Sequence, residues 1–246
     1  MARRGSDKVA FFLLGGYDLL GDLTQFDDTH TALIERTDTL GDQFEEYEFV
    51  GVRGGEITQD GFFNTDALTG HGAITTGPGV ARQLVYGIAG TATGAEFVGY
   101  SSAVEVSFSE LVSRGELHKA KATYRTNGPI DTGKVVATYK APGATGKSPL
   151  LDLGAAATGL GAYFQWNAAA GETNVRLMHS ASNGATAGAE LFVFTKTDAT
   201  NSRGTERQTT TGTVQRYVWF DVTTATATGS IADFKYFGGI VRSLST

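Results

Sequence analysis

The string that most invites a chemical reading is Ala141-Pro142-Gly143-Ala144-Thr145-Gly146-Lys147-Ser148. A phosphate-binding loop needs glycine, four residues, then glycine-lysine-serine, because bare backbone N–H groups must curl round the phosphates. Here position 141 is alanine, Pro142 removes one N–H, and Pro149 stands where a helix should begin. The pattern reads against a nucleotide site. His30, His71, His118 and His179 are scattered, with no pair at ligand spacing. Asp27-Asp28-Thr29-His30 reads as a solvated turn, and Asp22, Asp27, Asp28 and Asp38 lack the alternation and mid-loop glycine of a calcium loop. There is no glycine-x-serine-x-glycine elbow. Arg203, Arg207 and Arg216 are interrupted by Glu206 and read as a solvated face. Trp166, Trp219 and the nearby tyrosines read as core or rim, with a sugar site as the alternative. No catalytic, cofactor or metal residue is expected, and the chain is not read as an enzyme.

The elements that carry these residues are strands. The chain has 246 residues, with 33 glycines against four prolines, and short apolar runs separated by glycine-threonine punctuation. That mix predicts an all-β protein large enough for one or two proper cores. Cysteine is absent, so packing and neighbouring subunits must supply the stability. A formal charge of −6 argues against non-specific nucleic-acid binding, which needs a basic face. No run approaches the ~20 apolar residues of a membrane helix, and Val9–Leu14 is too short for a signal peptide core, so the chain reads as soluble and opens on a strand.

Taken in order, strands are expected at Val9–Leu14, Gln25–Arg36, Glu56–Phe63, Val80–Ile88, around Val104–Phe108, and in the basic run leading to Tyr124. Arg53-Gly54-Gly55-Glu56-Ile57 and Arg114-Gly115-Glu116-Leu117 look like two copies of one pattern. Residues 140–161 carry two prolines and small residues and mark a boundary. Beyond it, strands at 162–167, 175–179, 190–195, 205–209, 216–222 and 231–241 have the spacing of a β-sandwich.

The stretch 35–66 organises the first part: an acidic, aromatic segment from Asp42 to Val52, a glycine hinge at Gly54-Gly55, and a run closing on Phe62-Phe63. With Gly16-Tyr17-Asp18-Leu19 ahead of it, this order resembles the major tail tube proteins of long-tailed bacteriophages. Ala162–Trp166, Val175–Gly184, Leu191–Phe194, Glu206-Arg207, Arg216-Tyr217 and Phe237–Arg242 resemble the C-terminal β-sandwich of many phage tail proteins.

The resemblance implies two all-β domains: residues 1–150 as a ring-forming, tube-type sheet domain and 151–246 as a projecting β-sandwich. It implies a structural virion protein whose stacked rings form a tail tube, through which DNA passes without specific binding. Its partners would be further copies of itself and the tape-measure, tail-terminator and distal-tail proteins. It would assemble in the host cytoplasm and reside in the virion, with no membrane. Phe44, Tyr47, Phe49 and Val52 are the expected subunit contacts. Asp27, Asp28, Glu35, Glu56 and Asp60 are the acids expected to face the lumen, with Lys119, Lys121 and Arg125 turned outward or paired with acids at a subunit boundary. The alternative is a virion surface or carbohydrate-binding module worked by the second sandwich.

Overall fold

A computed structural model describes residues 9–36, 47–62, 79–137, 146–167, 172–183, 188–197, 203–226 and 235–242. The fold is all-β: every regular element among these residues is a strand, and all pairing is antiparallel. The first half holds β1 (Phe11–Leu14), β2 (Tyr17–Asp18), β3 (Leu23–Arg36), β4 (Tyr47–Phe62), β5 (Ala81–Gly87), β6 (Glu96–Leu111), β7 (Lys119–Thr126) and β8 (Ile130–Ala137). The second half holds β9 (Gly146–Lys147), β10 (Leu151–Asp152), β11 (Ala157–Asn167), β12 (Glu172–Ser180), β13 (Ala189–Thr197), β14 (Arg203–Val214), β15 (Tyr217–Thr226) and β16 (Lys235–Val241).

Two long hairpins lie side by side. In the first, β3 pairs along β4; in the second, β6 pairs along β7, and β4 joins β7 between them. The β7 ladder does not stop at its own end. Asn127 N–H donates to the Ser102 carbonyl and Ser101 N–H to the Pro129 carbonyl, after which β8 takes up the same edge of β6. So β7 and β8 are one run along β6, interrupted where Pro129 can give no N–H to the ladder. The other edge of β6 carries β5, then β1 and β2. The β3–β4–β7 part folds over the β5–β1 part, with Phe12, Leu84, Tyr100, Ala122 and Tyr124 buried between them. Phe26 of β3 reaches across to within 5.4 Å of Phe12 and 5.1 Å of Tyr86, ring centre to ring centre. The apolar run of β1 is covered on both faces: Phe12 and Leu14 enter this core, and Phe11 and Leu13 enter another.

The same sheet continues into the second half as β8–β16–β11–β14. A second sheet of β13, β12 and β15, with β9 and β10 along β15, packs on it. Phe164, Trp166, Phe194 and Phe220 fill the space between, with Phe164 and Phe194 centred 4.9 Å apart. A third core joins the halves: Phe11, Phe97, Val135, Tyr163 and Phe237 are buried together, and Phe237 lies 5.0 Å from Phe11 and 5.3 Å from Phe97. Polar groups bridge the same joint. The Tyr163 hydroxyl donates to Asp131 Oδ2 at 2.6 Å, and Arg207 donates to that oxygen from Nε at 3.1 Å and Nη2 at 2.9 Å. Gln165, fully buried, accepts from Gly16 N–H and donates to the Gln83 carbonyl, each at 3.2 Å.

The division expected between 1–150 and 151–246 therefore crosses a continuous ladder, because β8 lies between β6 and β16. The two copies of the arginine-glycine-glutamate pattern also occupy different places. Arg53–Ile57 runs inside β4, whereas Arg114–Leu117 is the turn between β6 and β7, with Gly115 at φ +84°.

One buried acid makes the fold pH-sensitive. Glu105 is 4% exposed, and its Oε1 has no hydrogen-bond partner among the described residues. Burial raises its pKa from 4.5 to about 7, against an opposing pull from Arg82. Through that window the folded chain holds a proton that the unfolded chain releases, so stability falls as pH rises from about 4.5 to about 7. Thermal melts should show wild type losing several degrees between pH 5 and pH 8 relative to Glu105→Gln. Parallel curves would remove Glu105 from the account.

Candidate functional site

The outer face of the β3–β4–β7–β6 sheet follows from strand alternation. Register aligns Thr29, Glu56 and Arg125 in one row, Asp27, Thr58, Thr123 and Ser107 in the next, and Gln25, Asp60, Lys121 and Ser109 in a third. Their neighbours Ile57 and Gln59 turn inward and are buried. The charges neutralise one another across strands: Arg125 Nε lies 2.8 Å from Glu56 Oε2, and Lys121 Nζ lies 3.8 Å from Asp60 Oδ1. Thr58 and Thr123 hydroxyls meet at 3.3 Å, and Gln25 Nε2 donates to Asp27 Oδ2 at 3.3 Å. Both ion pairs are solvated, so each stabilises by less than about 1 kcal/mol. Their effect is to leave a hydrophilic face of hydroxyls and balanced charge.

Asp27 and Asp28, expected to share a wet face, lie on opposite faces of β3. Asp28 turns to the core side, where its carboxylate accepts hydrogen bonds from the Tyr86 and Tyr100 hydroxyls. His30 Nε2 lies 3.1 Å from Asp28 Oδ2 and 2.9 Å from the Tyr100 hydroxyl. Burial, reinforced by the bond to Asp28, pushes both phenols above their ordinary range. Glu56 and Asp60 do lie on the outer face, with Arg125 and Lys121 paired to them. Glu35 lies in β3 level with Glu48. Tyr47 is level with Arg36, Phe49 with Ile34, and Val52 is also in β4. Phe44 lies outside the described residues, as do the side chains of Glu35, Tyr47, Phe49 and Val52.

Sequence reasoning passed over the uncharged part of this face, namely Thr29, Thr58, Thr123, Ser107 and Ser109. Its signal was present as polar residues at every second position: Gln25, Asp27 and Thr29, then Glu56, Thr58 and Asp60, then Ser107 and Ser109, then Lys121, Thr123 and Arg125. The remaining constellations have structural roles. Ser148 N–H donates to the Phe220 carbonyl and its Oγ accepts from Phe220 N–H, while Lys147 Nζ sits 5.1 Å from the Trp219 ring centre. Trp166 and Trp219 are buried. Arg207 belongs to the Asp131 joint, and Arg216 makes two 2.7 Å bonds to Asp152. His179 Nδ1 accepts from Gln215 N–H at 3.1 Å. His71 lies outside the described residues, among which no group of three or more His, Asp or Glu is placed to hold a metal.

No family model matches the chain. No curated protein matches it either. Among solved structures, the chain is similar to a protein in the tail of an empty gene-transfer-agent particle refined with C6 symmetry. The identity is 15% and the TM-score 0.41, over 52% of this chain and 97% of that one. It is similar, at 15% identity and a TM-score of 0.39 over the same shares, to a protein in the virion of a native gene-transfer-agent particle. Its similarity to SPP1 Dit (gp 19.1), a hub adsorption apparatus protein of phages that infect Gram-positive bacteria, spans 94% of this chain and 98% of that one, at 10% identity and a TM-score of 0.34.

Proposed function

We propose that the chain is a structural virion protein whose copies join edge to edge into rings that stack as a tail tube. The observation that carries this reading is the edge of β3. This strand is 14 residues long and pairs only with β4 among the described residues, so one row of its backbone groups faces away from the sheet. An edge of that length is a template for pairing with another chain, and proteins that remain monomeric blunt such edges. Repetition of one edge contact around an axis closes a ring. The hydroxyl-rich, charge-balanced face beside this edge suits the wall of a passage for DNA, because it offers phosphates no basic surface to hold. In this reading Asp27, Glu56 and Asp60 face the passage, Asp28 is committed to its tyrosines, and the Phe44, Tyr47, Phe49 and Val52 segment meets a neighbouring subunit. The role is architectural rather than enzymatic.

Negative-stain imaging of the concentrated protein tests the reading directly. Rings or tubes are expected, and a lectin-like module would stay dispersed. Replacing Phe49 and Val52 with serine should abolish rings and leave the melting temperature of the dispersed protein unchanged. If both residues are core, each change costs about 2–5 kcal/mol and the melting temperature falls instead. The subunit-contact assignment is then withdrawn.

A further inference from the structure

Where β7 passes into β8 along β6, the chain reads Thr126-Asn127-Gly128-Pro129. Asparagine ahead of glycine is the order most open to spontaneous loss of the side-chain amide. Glycine has no side chain to shield its backbone nitrogen or to hinder the approach of that nitrogen to the asparagine side chain. The order occurs at 127–128 and at 183–184, and the second of these glycines lies outside the described residues.

At 127 both reacting groups are loosely held. The Asn127 side chain is exposed, and no hydrogen bond engages it among the described residues. The Gly128 N–H makes a long 3.3 Å bond to Thr126 Oγ1 and no other among those residues. A Cβ on residue 128 would push the Ser101 hydroxyl aside, so the turn favours the one residue that leaves its nitrogen bare. The backbone around the pair is pinned instead. Asn127 N–H donates to the Ser102 carbonyl at 2.8 Å, and Ser101 N–H donates to the Pro129 carbonyl at 3.0 Å.

We infer that Asn127 is a site of spontaneous modification, where the amide becomes an acid and part of the product gains a carbon in its main chain. The Gly128 nitrogen gives up its proton and bonds to Asn127 Cγ. The Cγ–Nδ2 bond breaks and ammonia leaves. Water then opens the cyclic imide at either carbonyl: breaking the new N–Cγ bond gives aspartate, and breaking the original peptide bond gives isoaspartate. Water enters, ammonia departs, and nothing is oxidised or reduced. Isoaspartate lengthens the backbone by one bond of about 1.5 Å. That is nearly half the ~3.3 Å rise of a strand residue. The added length falls between the bonds at Asn127 and Pro129, so one of them must yield or β8 must shift along β6. Because β8 carries Asp131, the change loosens the joint to Tyr163 and Arg207.

The full chain, aged in mildly alkaline buffer and digested with trypsin, tests this. Cleavage after Arg125 and Lys134 isolates residues 126–134 from Asn183. That peptide should gain the mass difference between an amide and an acid and run as two species, one of them methylated by protein isoaspartyl methyltransferase. Aged wild type should melt below aged Asn127→Gln, which cannot react at 127 in this way. It should also melt below fresh Asn127→Asp, which has the new charge without the added carbon. Conversion at Asn183 alone would overturn the site, as would an unchanged 126–134 peptide from the folded chain under conditions that convert the same peptide free in solution. Conversion with no fall in melting temperature, or an equal fall in Asn127→Asp, would overturn its effect on the ladder.

Discussion

Asp131→Ala should melt the protein in a single transition far below wild type, and lose about 3–5 kcal/mol, the range for removing one partner of a buried ion pair. The Asp131 side chain is fully buried and that of Arg207 only 18% exposed. Removal of the carboxylate leaves a guanidinium without its counter-charge and the buried Tyr163 hydroxyl with only the longer 3.3 Å bond to the Gly99 carbonyl. Asp131→Asn keeps an acceptor for both donors and should lie between the two. Calorimetry with denaturant titration checks the claim. A loss below 1 kcal/mol, or separate transitions for the two halves, would show that this joint does not couple them.

The second large effect concerns the fragment 151–246 expressed alone, which should be unfolded. It lacks β8, the strand beside β16, so the Gly238–Ile240 stretch loses its ladder partner. It also loses Phe11, Leu13, Val85, Phe97 and Val135, which cover Tyr163, Phe237 and Val241. A clip in residues 138–145 of the intact protein should leave two pieces that travel together on a sizing column and part only in denaturant. A soluble 151–246 fragment with a cooperative β-type melt would refute this.

Most strands were legible because their signals are local. Phe11–Leu14 is apolar throughout and buried on both faces, and the closing strand Lys235–Val241 is apolar save for its first residue and its glycines. The strand that joins the halves was not legible. In β8 the inward positions are Asp131, Gly133 and Val135, and two of those three residue types are depleted in strands. Each is there for a reason outside the segment. Asp131 meets Arg207 and Tyr163, and a Cβ on Gly133 would run into the Ile240 carbonyl and the Phe97 ring. A residue chosen by partners in distant strands, 32 and 76 residues away for Asp131, leaves no periodic trace. The outer face was half legible for a related reason. The charges of Glu56 and Asp60 stand out in the sequence, but only the register shows that Arg125 and Lys121 cancel them. Asp28 was misplaced because its purpose, two tyrosines of β5 and β6, lies about sixty and seventy residues downstream.

The run of β7 into β8 along one edge of β6 also bears on inheritance. Recombination can exchange part of a gene, and a cassette moves freely only when its ends fall between hydrogen-bonded units. Here the sandwich borrows an inner strand from the hairpin that builds the other half, and returns Tyr163 and Phe237 to the core beneath β1. A crossover near residue 150 would therefore join a sandwich to a foreign β8 and a foreign Asp131, and the hybrid would hold only if both parents agreed at those positions. Change in either half must therefore be matched across the joint.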